Sequence, residues 1–214
     1  MFVLRMDNGE NRFNKTFVAE LNGALDEIER SSGEAAMVTV GGTEKFYSNG
    51  LDLDWMAGDG ASEARDFIPT FLRLIGRFLA FPAPTVAAMN GHAFAGGAML
   101  ALTHDYRVMR ADRGFFCLPE IDLRMPLAPG MTELIRIRMT PQTFRDAILT
   151  GSRWGAAECV ARGIVDEAAA LAEVLPRAIA RAAELAKKDR HAYGVLKRGM
   201  YGDAIAALES GRLP

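Results

Sequence analysis

Cysteine is scarce in this chain, which has 214 residues but only Cys117 and Cys159, each within an apolar stretch. This number and spacing exclude a disulfide framework and a zinc site built on cysteine pairs, and they favour a reducing compartment. Long apolar runs are also absent, and the N-terminal MFVLRMDNGE carries charge too early for a secretion signal. We therefore expect a cytoplasmic protein that does not span a membrane.

Neither sign of charge dominates. The 25 Lys and Arg residues nearly balance 27 Asp and Glu residues, which gives a formal net charge of -2. Such a balance gives no preference for nucleic acid or for an anionic membrane as the main partner. Hydrophobic residues make up 50% and charged residues 24% of the chain, which is typical of a globular protein with one main core.

Strands and helices alternate through the first 120 residues. Short apolar runs predict strands at residues 2–6, 36–40, 45–48, 85–89 and 114–118. Apolar residues at helical spacing predict helices around 18–28 and 66–81, and a third over AMLALTHDYRVM, which is 98–109. From about Met131 the pattern is mostly helical. This order predicts an α/β core over residues 1–150 and a helical C-terminal region over 151–214.

A loop of small residues, Gly91 to Gly97, separates the fourth predicted strand from a helix. Glycine lets a ligand approach the backbone closely, and a helix start offers unpaired N–H donors with a dipole that suits a developing anion. The same pattern also occurs where a tight turn simply packs a helix against a strand. On this loop alone, both interpretations stay open.

Four stretches taken together resemble the crotonase superfamily, also called the enoyl-CoA hydratase/isomerase family. They are FYSNGLDL, PTVAAMNGHAFAGGAMLALTHDYRVM, FFCLPEIDL and AAECVARGIVDEA, in this order over roughly residues 45 to 167. The resemblance implies a crotonase-like spiral of ββα units with two roughly perpendicular sheets. It also implies that the helical C-terminal region builds a homotrimer or a dimer of trimers.

The resemblance assigns the oxyanion-hole amides to the backbone of Leu51 and Gly96. These N–H groups would hold the thioester oxygen while it carries the negative charge of an enolate. It places further substrate contacts at several positions of the two turns and the expected acyl pocket: Ser48, Asn49, Gly50, Phe94, Met99 and Leu127. The substrate implied is an acyl-CoA thioester, with no separate cofactor and no metal, because coenzyme A arrives as part of the substrate.

One position departs from the hydratase pattern. Family hydratases use two glutamates, but here Met99 occupies the first position while Glu120 occupies the second. A thioether can neither take nor give a proton, whereas one carboxylate suffices to move a double bond. The pattern resembles Δ3,Δ2-enoyl-CoA isomerases, with Glu120 as proton shuttle in a partly apolar setting that raises its pKa. The alternative is a solvated carboxylate at a strand end.

Other polar residues are expected to have structural roles. We expect His92 to make a structural hydrogen bond, and Asp52 and Asp122 to serve as turn or helix-cap carboxylates. Met125, like Met99, is expected in the acyl pocket or the core. Coenzyme A carries phosphates, so basic side chains should flank its path. Candidates are Lys45, Arg12 and Lys197, each of which could equally be an ordinary surface charge.

Several functions compete for this sequence. The first is an isomerase that converts 3-enoyl-CoA to trans-2-enoyl-CoA. Hydratase comes second, followed by thioester hydrolysis and decarboxylation, because the oxyanion-hole chemistry is shared across this fold. A non-catalytic acyl-CoA-binding or oligomeric scaffold is the alternative of a different class. Replacing Glu120 separates the scaffold from the isomerase, because only the isomerase needs that carboxylate.

Overall fold

The computed structural model describes every residue from Met1 to Pro214. The strands are β1 (Phe2–Met6), β2 (Met37–Gly41), β3 (Phe46–Ser48), β4 (Thr85–Met89), β5 (His92–Phe94), β6 (Tyr106–Arg110), β7 (Phe116–Cys117) and β8 (Glu167–Ala169). The helices are α1 (Lys15–Arg30), α2 (Leu53–Ala57), α3 (Ala64–Leu79), α4 (Gly96–Thr103), α5 (Pro129–Arg138), α6 (Pro141–Thr150), α7 (Ala156–Ala161), α8 (Leu171–Leu185) and α9 (Arg190–Glu209). None of the helices is long and apolar enough to cross a membrane.

A five-stranded parallel sheet forms the centre of the molecule, in the order β1-β2-β4-β6-β8. Every residue of β2 and β4 is buried. Alternate side chains point to opposite faces of a strand. Met37 therefore packs into the main core on one face, while Val38 packs on the other face against Ala178 and Ala182 of α8. Continuous apolar runs are the expected sequence of strands that are covered on both faces.

A second, three-stranded sheet positions the candidate site. Its strands run parallel in the order β3-β5-β7. The carboxyl ends of parallel strands meet at one edge of a sheet. Chain segments that leave these three strands therefore emerge side by side, and they begin with Asn49, Ala95 and Leu118. Leu51, Gly96 and Glu120 each follow within three residues of a strand end, so the topology brings all three to the same edge.

Helix α9 closes the core by packing along α3 and α5. The approach is close, because a Cβ added to Gly130 would lie 2.8 Å from the backbone of Leu208. Lys197 of α9 reaches inward to Asp105, at the start of β6, with a distance of 3.0 Å between Nζ and Oδ1. A buried ion pair thus adds to the apolar contact between this helix and the rest of the fold.

The predicted α/β class, with two sheets and a helical C-terminal region, is confirmed. The predicted helix over 98–109 is wrong in its second half, because α4 ends at Thr103 and Tyr106 begins β6. The carboxylate of Asp105 accepts from the backbone N–H of Thr85 at 2.8 Å, which fixes the exit from the helix and starts the next strand. The loop after β4 also contains the short strand β5. The C-terminal region contributes β8 to the main sheet, and the division at residue 150 stays a prediction.

Candidate active site

A cavity of about 600 Å³ opens at the edge where β3, β5 and β7 end. This volume lies within the range of ligand-binding clefts. Its lining is mainly apolar with a few polar groups, and it comprises Arg12, Asn49, Leu51, Leu53, Asp54, Ile68, Phe71, Phe94, Ala95, Gly96, Met99, Cys117, Pro119, Glu120, Leu123, Arg124, Met125, Pro126, Ala128, Met131, Arg153, Leu213 and Pro214. Both expected oxyanion-hole residues and the expected base, Glu120, therefore share one cavity.

The two backbone amides belong to turns that touch each other. A Cβ added to Gly50 would lie 3.1 Å from the backbone nitrogen of Gly96, and one added to Gly96 would lie 3.5 Å from the Cα of Gly50. Gly96 is the first residue of α4, so its N–H has no acceptor within the helix. The N–H of Leu51 donates to no acceptor in the chain. Two unpaired donors thus lie side by side at the cavity wall.

The backbone around these donors is held in unusual conformations. Gly50 has a φ of +82°, and Ala95 has a φ of +47° although it carries a side chain. A residue with a Cβ pays a steric cost at positive φ. Ala95 is kept there by neighbouring hydrogen bonds, since its N–H donates to the oxygen of Cys117 at 3.0 Å. On the other turn, Phe13 pairs with the backbone on both sides of Leu51.

Ser48, Asn49 and Gly50 have different places in this turn. The hydroxyl of Ser48 is fully buried and donates to the backbone oxygen of Asn11 at 2.7 Å, so it supports the turn from behind. Gly50 provides the positive φ that the turn requires. Only Asn49 lines the cavity, and its amide donates to Glu10 at 2.8 Å. Substrate contact by the side chain of Ser48 is blocked by its burial, whereas contact by Asn49 stays a prediction.

Glu120 lies in a tight turn that directs its carboxyl into the cavity wall. The turn is closed by the N–H of Met125, which donates to the backbone oxygen of Glu120 at 2.9 Å. The side-chain oxygen Oε2 is buried and has no hydrogen-bond partner. Burial raises the pKa of Glu120 to about 7. Desolvation disfavours the charged form of a carboxyl, and no cation pairs with this one to offset that cost.

The apolar part of the cavity lies around Met99, which is only 1% exposed. Phe71, Met125 and Met131 line the same space. Phe94 lines it from β5, beneath the guanidinium of Arg153 at 5.6 Å. Leu127 does not line the cavity and packs against the main core instead. Flexible methionine side chains suit a pocket that accommodates an acyl chain.

The plainer roles expected for His92 and Asp52 are confirmed. His92 accepts at Nδ1 from the backbone N–H of Phe115 at 3.2 Å and stacks on Phe94, outside the cavity lining. Burial lowers its pKa, and nearby arginine and lysine charges lower it further. Asp52 caps α2 by accepting from the N–H of Trp55 at 3.2 Å.

The three basic residues expected to flank the coenzyme A phosphates differ in their position relative to the cavity. Arg12 lines the cavity, but it is paired with Glu10 and Asp54, in each case at 2.7 Å. Lys45 lies over the ring of Phe46 and does not line the cavity. The proposal for Lys197 is wrong, because this side chain is buried and paired with Asp105. A lysine in mid-helix gives no sequence signal that a distant carboxylate will enclose it.

Two cavity cations were missed by sequence reasoning. Arg124 and Arg153 both line the cavity, and neither forms an ion pair. Arg124 has a φ of +56°, a conformation imposed by the turn that also carries Glu120. Arg153 comes from the loop after α6. Only the fold brings these loops to one opening, so no local pattern could have identified the pair.

These groups can stabilise an enolate and move a proton. Two free N–H donors suit an oxygen that gains negative charge, and a carboxyl with a pKa of about 7 is suited to both accepting and returning a proton near neutral pH. No group of three or more His, Cys, Asp or Glu side chains is placed to hold a metal ion.

Comparison with known proteins gives consistent results. A profile described as enoyl-CoA hydratase/isomerase matches residues 1–212. The Arabidopsis thaliana protein named peroxisomal enoyl-CoA delta isomerase 2 is 31% identical over 219 residues, covering 97% of this chain and 91% of that protein. The Escherichia coli K12 carnitinyl-CoA dehydratase is 34% identical over 161 residues, covering 75% of this chain and 60% of that protein.

Solved structures agree with the fold. A probable enoyl-CoA hydratase from Mycobacterium tuberculosis superposes with a TM-score of 0.90 at 28% identity, covering 98% of this chain and 88% of that chain. A second structure of the same Mycobacterium tuberculosis protein, there described as an enoyl-CoA isomerase, gives a TM-score of 0.89 at 28% identity, covering 98% of this chain and 90% of that chain. The chain therefore belongs to the enoyl-CoA hydratase/isomerase family of the crotonase superfamily, whose members act on acyl-CoA thioesters.

Proposed function

We propose that this enzyme is a Δ3,Δ2-enoyl-CoA isomerase that shifts a 3-enoyl-CoA double bond to trans-2-enoyl-CoA. The observation that carries the proposal is the isolation of Glu120. One oxygen of its carboxyl is buried without a hydrogen-bond partner, and burial raises its pKa to about 7. Met99 occupies the position at which family hydratases have a second glutamate. Asp54, the other cavity carboxylate, is paired with Arg12 at 2.7 Å. One free carboxylate favours proton shuttling over hydration.

The proposed reaction proceeds in two proton transfers. The carboxylate of Glu120 removes a proton from C2 of the bound 3-enoyl-CoA, and the electron pair spreads over the dienolate to the thioester oxygen. The N–H groups of Leu51 and Gly96 stabilise that oxygen as it gains charge. Glu120 then returns its proton to C4, which leaves the double bond between C2 and C3. The proton count balances, and the proposal needs no separate cofactor.

Hydration makes a further demand on the site. A water molecule must be held and deprotonated as it attacks one carbon of the double bond, while a proton is delivered to the other carbon. For this reason the hydratases of this family use two glutamates. The thioether of Met99 cannot take part in either transfer. The isomerase names of the Arabidopsis relatives support the same choice.

The decisive experiment separates the two reactions and then removes the base. Purified enzyme is assayed with 3-hexenoyl-CoA for conjugated enoyl formation, and with 2-hexenoyl-CoA for hydration. We expect rapid isomerisation, and we expect Glu120→Gln to lower its kcat by about 10²- to 10⁴-fold, the usual contribution of a general base. Glu20→Gln, at an exposed position of α1, is the matched control and should retain full activity.

Two results would contradict the proposal. Hydration of 2-hexenoyl-CoA that is faster than isomerisation would show that Met99 does not exclude a hydratase. Tight acyl-CoA binding without turnover of either substrate would instead favour the non-catalytic scaffold, and Glu120→Gln would then leave function unchanged.

A further inference from the structure

A chain of buried hydrogen bonds crosses the core behind the proposed oxyanion hole. The hydroxyls of Tyr47 and Thr39 lie 2.7 Å apart, and Thr39 Oγ1 lies 2.9 Å from His104 Nε2. His104 Nδ1 lies 2.9 Å from the backbone oxygen of Leu100. All three side chains are 0% exposed, so water cannot replace any of these partners.

Only one arrangement of protons satisfies this chain. The oxygen of Leu100 can only accept, so Nδ1 of His104 carries the hydrogen and Nε2 accepts from Thr39. Thr39 in turn accepts from the hydroxyl of Tyr47. The imidazole is neutral, because burial lowers the pKa of His104 to about 3. The bonds therefore run in one direction from Tyr47 to Leu100.

The two ends of the chain lead to the two proposed donors. Tyr47 belongs to β3, four residues before Leu51. Leu100 belongs to α4, four residues after Gly96, which is about one helical turn. The backbone oxygen of Tyr47 also accepts from the amide of Asn11 at 3.0 Å, which steadies β3. The hydrogen bonds thus join the segments that carry the two amides.

We infer that Thr39, Tyr47 and His104 are positioning residues that hold the amides of Leu51 and Gly96 at a fixed separation. The inference rests on the proposed function of these amides as the oxyanion hole. None of the three side chains lines the cavity, so each acts through the backbone it anchors.

The need for such an anchor follows from the composition of α4. All eight of its residues are buried, and all but Thr103 are apolar or glycine. Apolar contact is non-directional and tolerates small sliding movements, whereas hydrogen bonds fix both distance and angle. A displacement of about 1 Å at a catalytic group can cost on the order of 10²-fold in rate. The hydrogen-bond chain supplies the directional restraint that the apolar surface of α4 lacks.

The test compares three substitutions of buried threonines. Thr39→Val keeps the shape but removes the hydroxyl, and Thr39→Ser keeps the hydroxyl. Thr143→Val makes the same change at a buried threonine of α6 outside the cavity. We expect Thr39→Val to lower kcat on 3-hexenoyl-CoA by on the order of tenfold with KM changed less than threefold, because distorting the hole costs less than the 10²- to 10³-fold loss of one donor. Thr39→Ser and Thr143→Val should stay within twofold of wild type.

A spectroscopic measurement makes the test independent of turnover. Hexanoyl-CoA labelled with ¹³C at the thioester carbonyl has no double bond to move, and hydrogen bonds in an oxyanion hole lower its carbonyl stretching frequency. We expect Thr39→Val to lose a measurable part of the wild-type shift while binding hexanoyl-CoA within threefold of the wild-type Kd. If Thr39→Val does not fold, Tyr47→Phe removes the hydroxyl at one end of the hydrogen-bond chain and carries the same expectation.

Each outcome points to one conclusion. If Glu120→Gln abolishes turnover while Thr39→Val and Tyr47→Phe keep the wild-type kcat and carbonyl shift, the positioning inference fails and the proposed function stands. If the wild-type enzyme gives no carbonyl shift, the oxyanion hole itself is refuted, and the positioning inference falls with it. An equal loss of kcat in Thr143→Val would show that the effect of Thr39→Val is general destabilisation, and this result would also overturn the inference.

Discussion

Glu120 shows how burial converts an ordinary side chain into a catalytic candidate. A solvated glutamate is almost fully ionised at neutral pH and is a weak base. Here desolvation raises the pKa to about 7, and no cation stabilises the carboxylate. Because ionising the buried carboxyl is unfavourable, its carboxylate form binds a proton more tightly than a solvated carboxylate does. That affinity is what a shuttle needs, because the same group must take a proton and give it back.

The activity should follow the ionisation of this residue. Glu120 must be a carboxylate to begin the reaction, so kcat/KM for 3-hexenoyl-CoA should rise with pH and reach half of its plateau near pH 7. A glutamate with an ordinary pKa would give a profile that is already flat above about pH 6. The measurement is a pH profile between 5 and 9, and a flat profile would contradict the assignment of Glu120 as base.

The same residue should make stability depend on pH. Because the pKa of Glu120 is higher in the folded state than its value of 4.5 when exposed, the folded state binds the proton more tightly. This contribution to stability is complete below about pH 4.5 and is lost as the pH rises through about 7. Each pKa unit corresponds to about 1.4 kcal/mol, so the ionised carboxylate costs up to about 3 kcal/mol.

Glu120→Gln should therefore gain stability relative to wild type as the pH rises. We expect little difference in the free energy of unfolding at pH 4.5 and a gain of about 1 to 3 kcal/mol at pH 8. Urea unfolding at both pH values gives the comparison, with Glu20→Gln as the solvent-exposed control. A difference that does not change with pH would mean that Glu120 is solvated in the folded enzyme.

At the scale of elements, α9 is joined to the core by one buried charge cluster. Asp105 accepts from the N–H and hydroxyl of Thr85, from the hydroxyl of Tyr193 and from Lys197. The side chains of Lys197 and Asp105 are 4% and 10% exposed. Desolvation lowers the pKa of Lys197, while the carboxylate of Asp105 partly restores it. Removing one partner leaves the other charge buried without full compensation.

Lys197→Met should consequently lower the free energy of unfolding by about 3 to 5 kcal/mol. Arg136→Met is the matched control, since it breaks an exposed pair with Glu133 on α5 and should cost less than about 1 kcal/mol. Denaturant unfolding of both variants gives the comparison. Equal losses would show that the buried pair does not anchor α9.

At the scale of the whole molecule, α9 presents apolar side chains to solvent. Val195, Leu196 and Met200 are 57%, 65% and 66% exposed. A cluster of large apolar side chains on a surface helix often marks a contact with another chain. This surface supports the prediction that the C-terminal region assembles a homotrimer or a dimer of trimers.

Sedimentation velocity tests that prediction directly. We expect a species of three or six times the 23.3 kDa mass of one chain. Leu196→Glu should dissociate it, because a charge would be buried at the contact. Leu149→Glu, at a 64% exposed position of α6 outside residues 151–214, serves as the control and should leave assembly unchanged. A wild-type monomer at micromolar concentration would contradict the prediction.

Local patterns were sufficient for much of the fold. The strand predicted at 85–89 coincides with β4, and the run at 2–6 coincides with β1, because an apolar strand buried on both faces is recognisable from its own residues. Local patterns gave the wrong prediction in the second half of 98–109, where Tyr106–Arg110 forms β6. Apolar residues such as Val108 and Met109 are compatible with a buried strand as well as with a helix. Their pairing with Ala88 and Met89 of β4 makes this segment a strand.

The sequence by itself determined the family and the α/β class, and it predicted Leu51, Gly96 and Glu120 as candidate site residues, because short motifs carry the turns and the carboxylate. Only the tertiary structure decided the properties that arise from distant contacts. It placed Arg124 and Arg153 at the cavity, buried Lys197 against Asp105, and joined Tyr47 to His104 through Thr39. It also set the pKa of Glu120, since desolvation depends on everything that packs around a carboxyl and not on its neighbours in the chain.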